Sequence, residues 1–194
     1  MSGLRERKKQ ATRAALSEAA LRLAVERGPD NVRVDDIAEA AGVSPRTYNN
    51  YFPSREDAIV FAVTAQREER VAAAVRATSA PLAEAVLDAV VTEYTAPARD
   101  TLLFITTTPA LRTAYTRTAT ALEPPLAAAL APRVTDPTTA RVLAAGVAAA
   151  VRIALEQWAQ PKGNTGFVVV SGSLPDLLRS ALAPLEPALT AAEA

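Results

Sequence analysis

Residues 34–57 read VDDIAEAAGVSPRTYNNYFPSRED, and this stretch decides the fold. Val34, Ile37, Ala38 and Ala41 recur at helical spacing and give one apolar face. Gly42, the only glycine between Gly28 and Gly146, falls where the chain must reverse tightly, at a place suited to positive φ. Val43 leads into Ser44-Pro45, a strong N-cap followed by a residue preorganised for the first helical turn. A short helix is predicted over Pro45 to Tyr51, ended by Phe52-Pro53. Ser54 then restarts a helix, with Asp57 three residues later in a capping-box position. A small residue where two helices cross (Ala38), a turn glycine four residues on, and apolar anchors at Ile37, Ala41, Val43 and Tyr48 are what a helix-turn-helix needs. That motif holds one short helix out from the body, where its side chains can enter a major groove.

Outward from this stretch the chain reads as helices throughout. A first helix, starting at about residue 5 or 11, carries Leu16, Ala20, Leu23 and Ala24 on one face and stops at Gly28-Pro29-Asp30-Asn31. Downstream, the Ser54 helix is predicted to continue to about Arg76, and Pro81 opens another to about Tyr94. Pro97 and Pro109 bracket a short helix, and Ala110 to Ala131 forms one kinked at Pro124-Pro125. Pro137 opens a long helix to about Gln160. Residues 161–172 read as a loop with a brief extended piece at Phe167–Val170, followed by a Ser173-capped helix to about Ala183 and a frayed tail from Pro184. The expected fold class is all-α, about nine helices, with a three-helix helix-turn-helix domain over residues 1–57 and a larger helical domain over 58–194.

Composition removes whole classes of chemistry. The 194 residues include no Cys and no His, so thiol or imidazole catalysis and the commonest zinc sites have no ligands to work with. Carboxylates remain, but Asp35-Asp36 and Glu68-Glu69 are adjacent pairs that point apart on a helix. No enzyme, no cofactor and no metal are therefore expected. The longest charge-free apolar run, Val142 to Val151, is shorter than the ~20 residues a bilayer span needs. With a charged N-terminus lacking an apolar core behind it, a cytoplasmic protein without a membrane partner is expected. Lys+Arg and Asp+Glu balance at 21 each, yet Arg5, Arg7, Lys8, Lys9 and Arg13 face only Glu6 at the start of the chain. This distribution suits a basic arm for nucleic acid.

Residues about 10–57 resemble the DNA-binding domain of the tetracycline-repressor (TetR) family of bacterial regulators. The strings that carry the resemblance are ATRAALSEAALRLAVERG and VDDIAEAAGVSPRTYNNYFPSREDAI, in which Gly42, Val43, Ser44, Thr47, Tyr48, Tyr51, Phe52, Ser54 and Glu56 match the family's recognition stretch in place. The family usually has an aromatic where this chain has Ala24, a capping Thr where it has Arg33, an aromatic at Asn49 and Lys at Arg55. Two further stretches, TTTPALR and ARVLAAGVAAAVRIALEQW, resemble the ligand domain of regulators linked to the mycofactocin system, some of which answer to acyl-CoA-type molecules.

These features assign roles. Thr47 and Tyr51 carry hydroxyls suited to phosphate oxygens, as the family uses them. The Ser54-capped helix start and Arg55 offer N–H groups and charge to another phosphate, and the guanidinium of Arg33 reaches the same backbone. Arg46, Asn49 and Asn50 face outward from the recognition helix, where Arg pairs with guanine and Asn with adenine; Pro45 meets a thymine methyl. Lys8 and Lys9 of the arm reach a minor groove or phosphate. Tyr48 reads as core. On the Pro137 helix, Leu143, Val147, Val151, Leu155 and Trp158 make one apolar stripe, while Ala144, Ala145, Gly146, Ala148 and Ala149 make a second, small-residue face for a partner chain. The resemblance implies a homodimer that sets two recognition helices ~34 Å apart on a palindromic operator in double-stranded DNA. An unknown small apolar ligand is expected among the helices of residues 80–160, with Phe61, Tyr94, Phe104, Arg112, Tyr115 and Trp158 as lining candidates, joined by Arg152 and Gln157. The expected function is a sequence-specific transcription regulator, a repressor released by that ligand. The alternative is a helical binding or scaffolding protein without DNA activity.

Overall fold

The computed structural model describes residues 2–96, 99–160 and 173–193. Among the described residues there are twelve α-helices and no strand, only an isolated antiparallel bridge between Val134 and Glu193. The all-helical reading therefore holds. The expected loop at 161–172, with its extended piece at Phe167–Val170, and Pro97 lie outside the described residues, while the short helix expected between Pro97 and Pro109 is present at Arg99–Ile105.

The chain divides into two compact units, Met1–Ala65 with Thr108–Tyr115, and Gln66–Thr107 with Thr116–Ala194. The first unit contains α1 (Ser2–Arg27), α2 (Val34–Ala40), α3 (Pro45–Asn49) and α4 (Arg55–Thr64). Helix α1 lies along α4 and touches α2, and α2 crosses α3. Leu16, Leu23, Ile37, Tyr48, Phe52 and Ile59 form the core they share. Each such side chain contributes roughly 1.5–3 kcal/mol by leaving water. Ala24 is completely buried, so this small residue is closed over by its neighbours. Residues Arg5 to Lys9 lie within α1, which makes the basic arm a continuation of the helix and not an extended strand.

The second unit contains α5 (Arg67–Ala77), α6 (Leu82–Thr95), α7 (Arg99–Ile105), α9 (Glu123–Leu130), α10 (Pro137–Trp158), α11 (Leu174–Leu182) and α12 (Glu186–Ala192); α8 (Pro109–Arg117) gives its residues up to Tyr115 to the first unit. Helix α10 is its centre, covered by α9, α11 and the 3-10 turn Thr118–Leu122, while α5 lies on α6 and α9. Asp136 caps α10 by accepting from the Thr139 N–H at 2.9 Å, and that bond holds its carboxyl below the usual range. By length and mean hydropathy (1.5) α10 could cross a bilayer, but half of its most apolar window is buried inside the unit. Its predicted stripe, Leu143, Val147, Val151, Leu155 and Trp158, is buried throughout. The predicted second face is only partly open: a Leu185 methyl lies 3.5 Å from where a Cβ on Gly146 would stand, and Ala144 and Ala148 are buried. Val142, Ala149 and Ile153 remain exposed along one side.

Two breaks and the C-terminal tail differ from the sequence reading. The helix expected from Ser54 to Arg76 is interrupted at Gln66, whose φ of 60° places it in the left-handed region. Neither Gly nor Pro marks that position. The kink expected at Pro124-Pro125 is a full break upstream, at Thr118–Leu122, and the two prolines sit in the first turn of α9, where a missing N–H leaves no bond unmade. The tail expected to fray is helix α12 instead. Glu193 fixes its end: the carboxylate accepts from the Leu82 N–H at 2.9 Å and from Arg133, which also donates to the Ala80 carbonyl at 2.5 Å. These two donors hold the Glu193 carboxyl below its usual range.

Candidate nucleic-acid interface

The turn between α2 and α3 is built by hydrogen bonds that the residue types dictate. Gly42, at φ 69°, lets the Val43 N–H reach back to the Ala38 carbonyl at 2.9 Å and its own N–H reach Glu39 at 3.0 Å. This pair of bonds is a Schellman closure, which needs a left-handed residue at that position. Ser44 then caps α3, accepting from the Thr47 N–H at 3.1 Å, and its hydroxyl lies 2.9 Å from that of Thr47. Tyr48 is fully buried in the middle of α3 and donates its phenol to the Ser54 carbonyl at 2.8 Å. Burial, with Glu56 and Asp57 nearby, pushes that phenol well above its usual range, so it stays protonated and keeps donating. Ser54 caps α4 through the Asp57 N–H at 3.1 Å. One face of α3 is thus anchored by Tyr48, which fixes what the other face shows.

That other face carries Pro45, Arg46, Asn49 and Asn50, all exposed, with Thr47 and Tyr51 half-buried at its edges. Arg33 is exposed at the start of α2, and Lys8 and Lys9 are exposed on α1. The backbone N–H of Arg33 donates to Asp36 at 3.1 Å, while its guanidinium, having no acceptor atom, caps nothing and stays outside. The expectation for Arg55 is corrected. Its guanidinium is engaged within the unit, donating to the Val32 carbonyl at 2.9 Å, the Asp30 carbonyl at 3.0 Å and Glu56 at 2.7 Å. It clamps the α1–α2 connection onto the start of α4 and does not stand out toward a phosphate. Arg13, read from sequence as part of the basic arm, lies over the rings of Phe52 and Phe61.

The candidate ligand residues are divided between the two units. Phe61 meets Phe52 edge-to-face at 5.5 Å within the first unit, and Arg112 and Tyr115 also belong to that unit. Tyr94, Phe104 and Trp158 lie in the second unit. Tyr94 is fully buried beneath the guanidinium of Arg67, 3.8 Å from its ring centre; Trp158 is nearly so, and Phe104 is half-exposed. Arg67, which with the charge cluster Gln66–Arg70 reads from sequence as solvated surface, is instead fully buried and also donates to Thr118 at 2.7 Å and Glu68 at 2.8 Å. A shallow groove of about 210 Å³ between α5 and α6 is lined by Ala74, Thr78, Ala85, Asp88, Thr92 and Glu93, and none of the six candidates borders it.

Comparison with known proteins fits the first unit. Residues 16–60 match the model of "Bacterial regulatory proteins, tetR family". The HTH-type transcriptional regulator TcmR of Streptomyces glaucescens is 39% identical over 71 residues, which are 37% of this chain and 31% of that protein. The chain therefore spans about a third of that relative's length. A crystal structure of Thermus thermophilus FadR, a TetR-family transcriptional repressor in complex with lauroyl-CoA, superposes with a TM-score of 0.55 over 90% of this chain and 93% of that one, at 24% identity. That likeness extends the shared fold beyond the matched N-terminal residues. Both proteins are transcription regulators and not enzymes. The likeness to the tetR family of bacterial regulatory proteins thus rests on residues 16–60, which carry the helix-turn-helix.

Proposed function

We propose that this chain is a sequence-specific DNA-binding transcription regulator that reads a palindromic operator as a homodimer. The observation that carries the reading is the two-sidedness of α3: Tyr48 is buried and hydrogen-bonded, while Pro45, Arg46, Asn49 and Asn50 project outward. Arg and Asn are the side chains that read guanine and adenine edges bidentately. Thr47, Tyr51, Arg33, Lys8 and Lys9 supply backbone contacts, and the start of α4 supplies N–H groups. The 1–57 segment is the DNA-reading domain in this proposal, and 58–194 the sensing and pairing domain. The exposed Val142, Ala149 and Ile153 of α10 support pairing with a second copy. A repressor acting in the cytoplasm and released by a small apolar ligand completes the reading; lauroyl-CoA, seen with the Thermus protein and apolar only in its acyl chain, is one compound to screen by thermal shift beside simple apolar molecules.

Enrichment of duplexes from a random library tests the DNA reading, followed by Arg46→Ala. That variant loses about 1–3 kcal/mol of binding and relaxes the preference at one base pair. A wild-type protein that enriches no sequence leaves the scaffolding alternative; an Arg46→Ala variant with intact affinity and preference shows that α3 is not the reading helix.

A further inference from the structure

In the first unit Arg13 is half-buried. Arg13 on α1 places its guanidinium carbon 4.1 Å from the ring centre of Phe61 on α4 and 5.4 Å from that of Phe52, just beyond α3. Its Nε is buried and has no hydrogen-bond partner among the described residues. An N–H that gives up water without gaining an acceptor costs free energy, so the ring faces must supply the compensating attraction. The rings are themselves connected: Phe52 meets Phe61 at 5.5 Å and Tyr48 at 5.9 Å. An unbroken chain of contacts thus runs from α1 through Phe52 into the middle of α3, and through Phe61 into α4.

We propose that Arg13 is a positioning residue for DNA reading, with its cation–π stack locking α1, the end of α3 and α4 into the geometry that docks α3. The proposal rests on the DNA-binding reading above. The stack acts on two sets of contacts at once. Through Phe52 and Tyr48 it fixes the angle at which Arg46, Asn49 and Asn50 leave the unit. Because α1 is one helix from Ser2 to Arg27, the stack also fixes the direction in which Lys8 and Lys9 project. When the stack is lost, the arrangement competent to bind becomes a smaller fraction of the folded population, and apparent affinity falls by that fraction.

The test uses the full chain and two duplexes: one enriched from a random library by the wild-type protein, and a scrambled duplex of the same composition. Fluorescence anisotropy gives both affinities, at a temperature where circular dichroism shows each variant folded. Arg13→Met loses about tenfold on the enriched duplex. On the scrambled duplex it loses only the smaller amount that removing one half-buried charge costs, because non-specific binding depends on charge more than on docking angle. Arg13→Lys, which keeps a cation over the rings, recovers part of the loss. Phe61→Leu reproduces it, and the double variant is no worse than the worse single one. An Arg13→Met variant with the wild-type ratio between the duplexes overturns the proposal, as does equal loss on both, which makes Arg13 a plain backbone charge. If Arg13→Met does not fold, Arg13→Lys and Phe61→Leu decide by the same ratio. A wild-type protein that enriches nothing shows, before any variant is made, that the DNA reading itself has failed.

Discussion

Replacing Gly42 by alanine isolates the conformational cost of the helix-turn-helix turn. At φ 69° the residue sits in the left-handed region, and a Cβ built there meets nothing within 4 Å. Steric clash with neighbours therefore contributes nothing, and both closing hydrogen bonds, Val43 to Ala38 and Gly42 to Glu39, remain possible. What is left is the intrinsic cost of an L side chain in that region, roughly 1–2 kcal/mol, partly offset by the ~0.4–1 kcal/mol gained because alanine stiffens the unfolded chain. The expected net loss is about 1 kcal/mol, or about 4–8 °C for a cooperative unit of 60–100 residues. Gly42→Asn costs less, because Asn tolerates this conformation. Gly28→Ala costs more: at φ 82° and ψ 144° it lies in a region essentially confined to glycine. Urea unfolding followed by circular dichroism measures the series. A Gly42→Ala variant as stable as wild type refutes the left-handed turn, and a loss near that of a filled core shows a clash the geometry does not contain.

Two further outcomes follow from buried or clamped groups. Tyr48→Phe removes one hydroxyl and leaves the Ser54 carbonyl only the Ala58 N–H at 3.3 Å, costing about 1 kcal/mol. Since the Tyr48 phenol titrates above its ordinary 10.0, its contribution is complete below that pH and lost as pH rises toward the folded value. Unfolding curves in alkaline buffer should therefore fall more steeply for wild type than for Tyr48→Phe, and identical slopes would exclude the coupling. Glu193 behaves oppositely: its folded value lies below the ordinary 4.5, so its contribution is complete above that pH and lost as pH falls through the folded value. Glu193→Gln should weaken the acid dependence of unfolding and raise amide exchange in α12 and at Leu82; unchanged exchange would show that the clamp does not hold the end of the chain.

What the sequence revealed was local chemistry. Gly42, Ser44, Ser54, Asp57 and Ser173 announce turns and caps because each works on residues within three or four positions, and the structure places their bonds accordingly. The α10 stripe was legible for the same reason, through its period. What escaped was partnership at long range. Arg13 and Arg55 read as surface charge, since a sequence shows that a side chain is cationic but not that two rings or two carbonyls await it. Glu193 read as tail because its partners, Leu82 and Arg133, lie 111 and 60 residues away. The break at Gln66 carried no signal at all, because a non-glycine residue is held left-handed there by its surroundings and not by its own preference.

These corrections also change how the balanced charge should be understood. The 21 basic and 21 acidic residues suggest no affinity for a polyanion. Within the first unit, however, Glu26, Asp30, Asp36 and Glu56 lie in ion pairs with Arg22, Arg27 and Arg55. Pairing neutralises those carboxylates locally, and the field a phosphate meets depends on the cations left over. Arg33 and Arg46 enter no ion pair among the described residues, and both are exposed, Arg33 at the start of α2 and Arg46 in the first turn of α3. Lys8 and Lys9 add to them on a helix whose direction the Arg13 stack fixes. A few cations held on rigid elements favour one register on DNA over its neighbours, where a diffuse basic surface would hold many registers equally. Neutral net charge and DNA reading are thus compatible, because Glu26, Asp30, Asp36 and Glu56 are occupied by the unit's own arginines before any phosphate arrives.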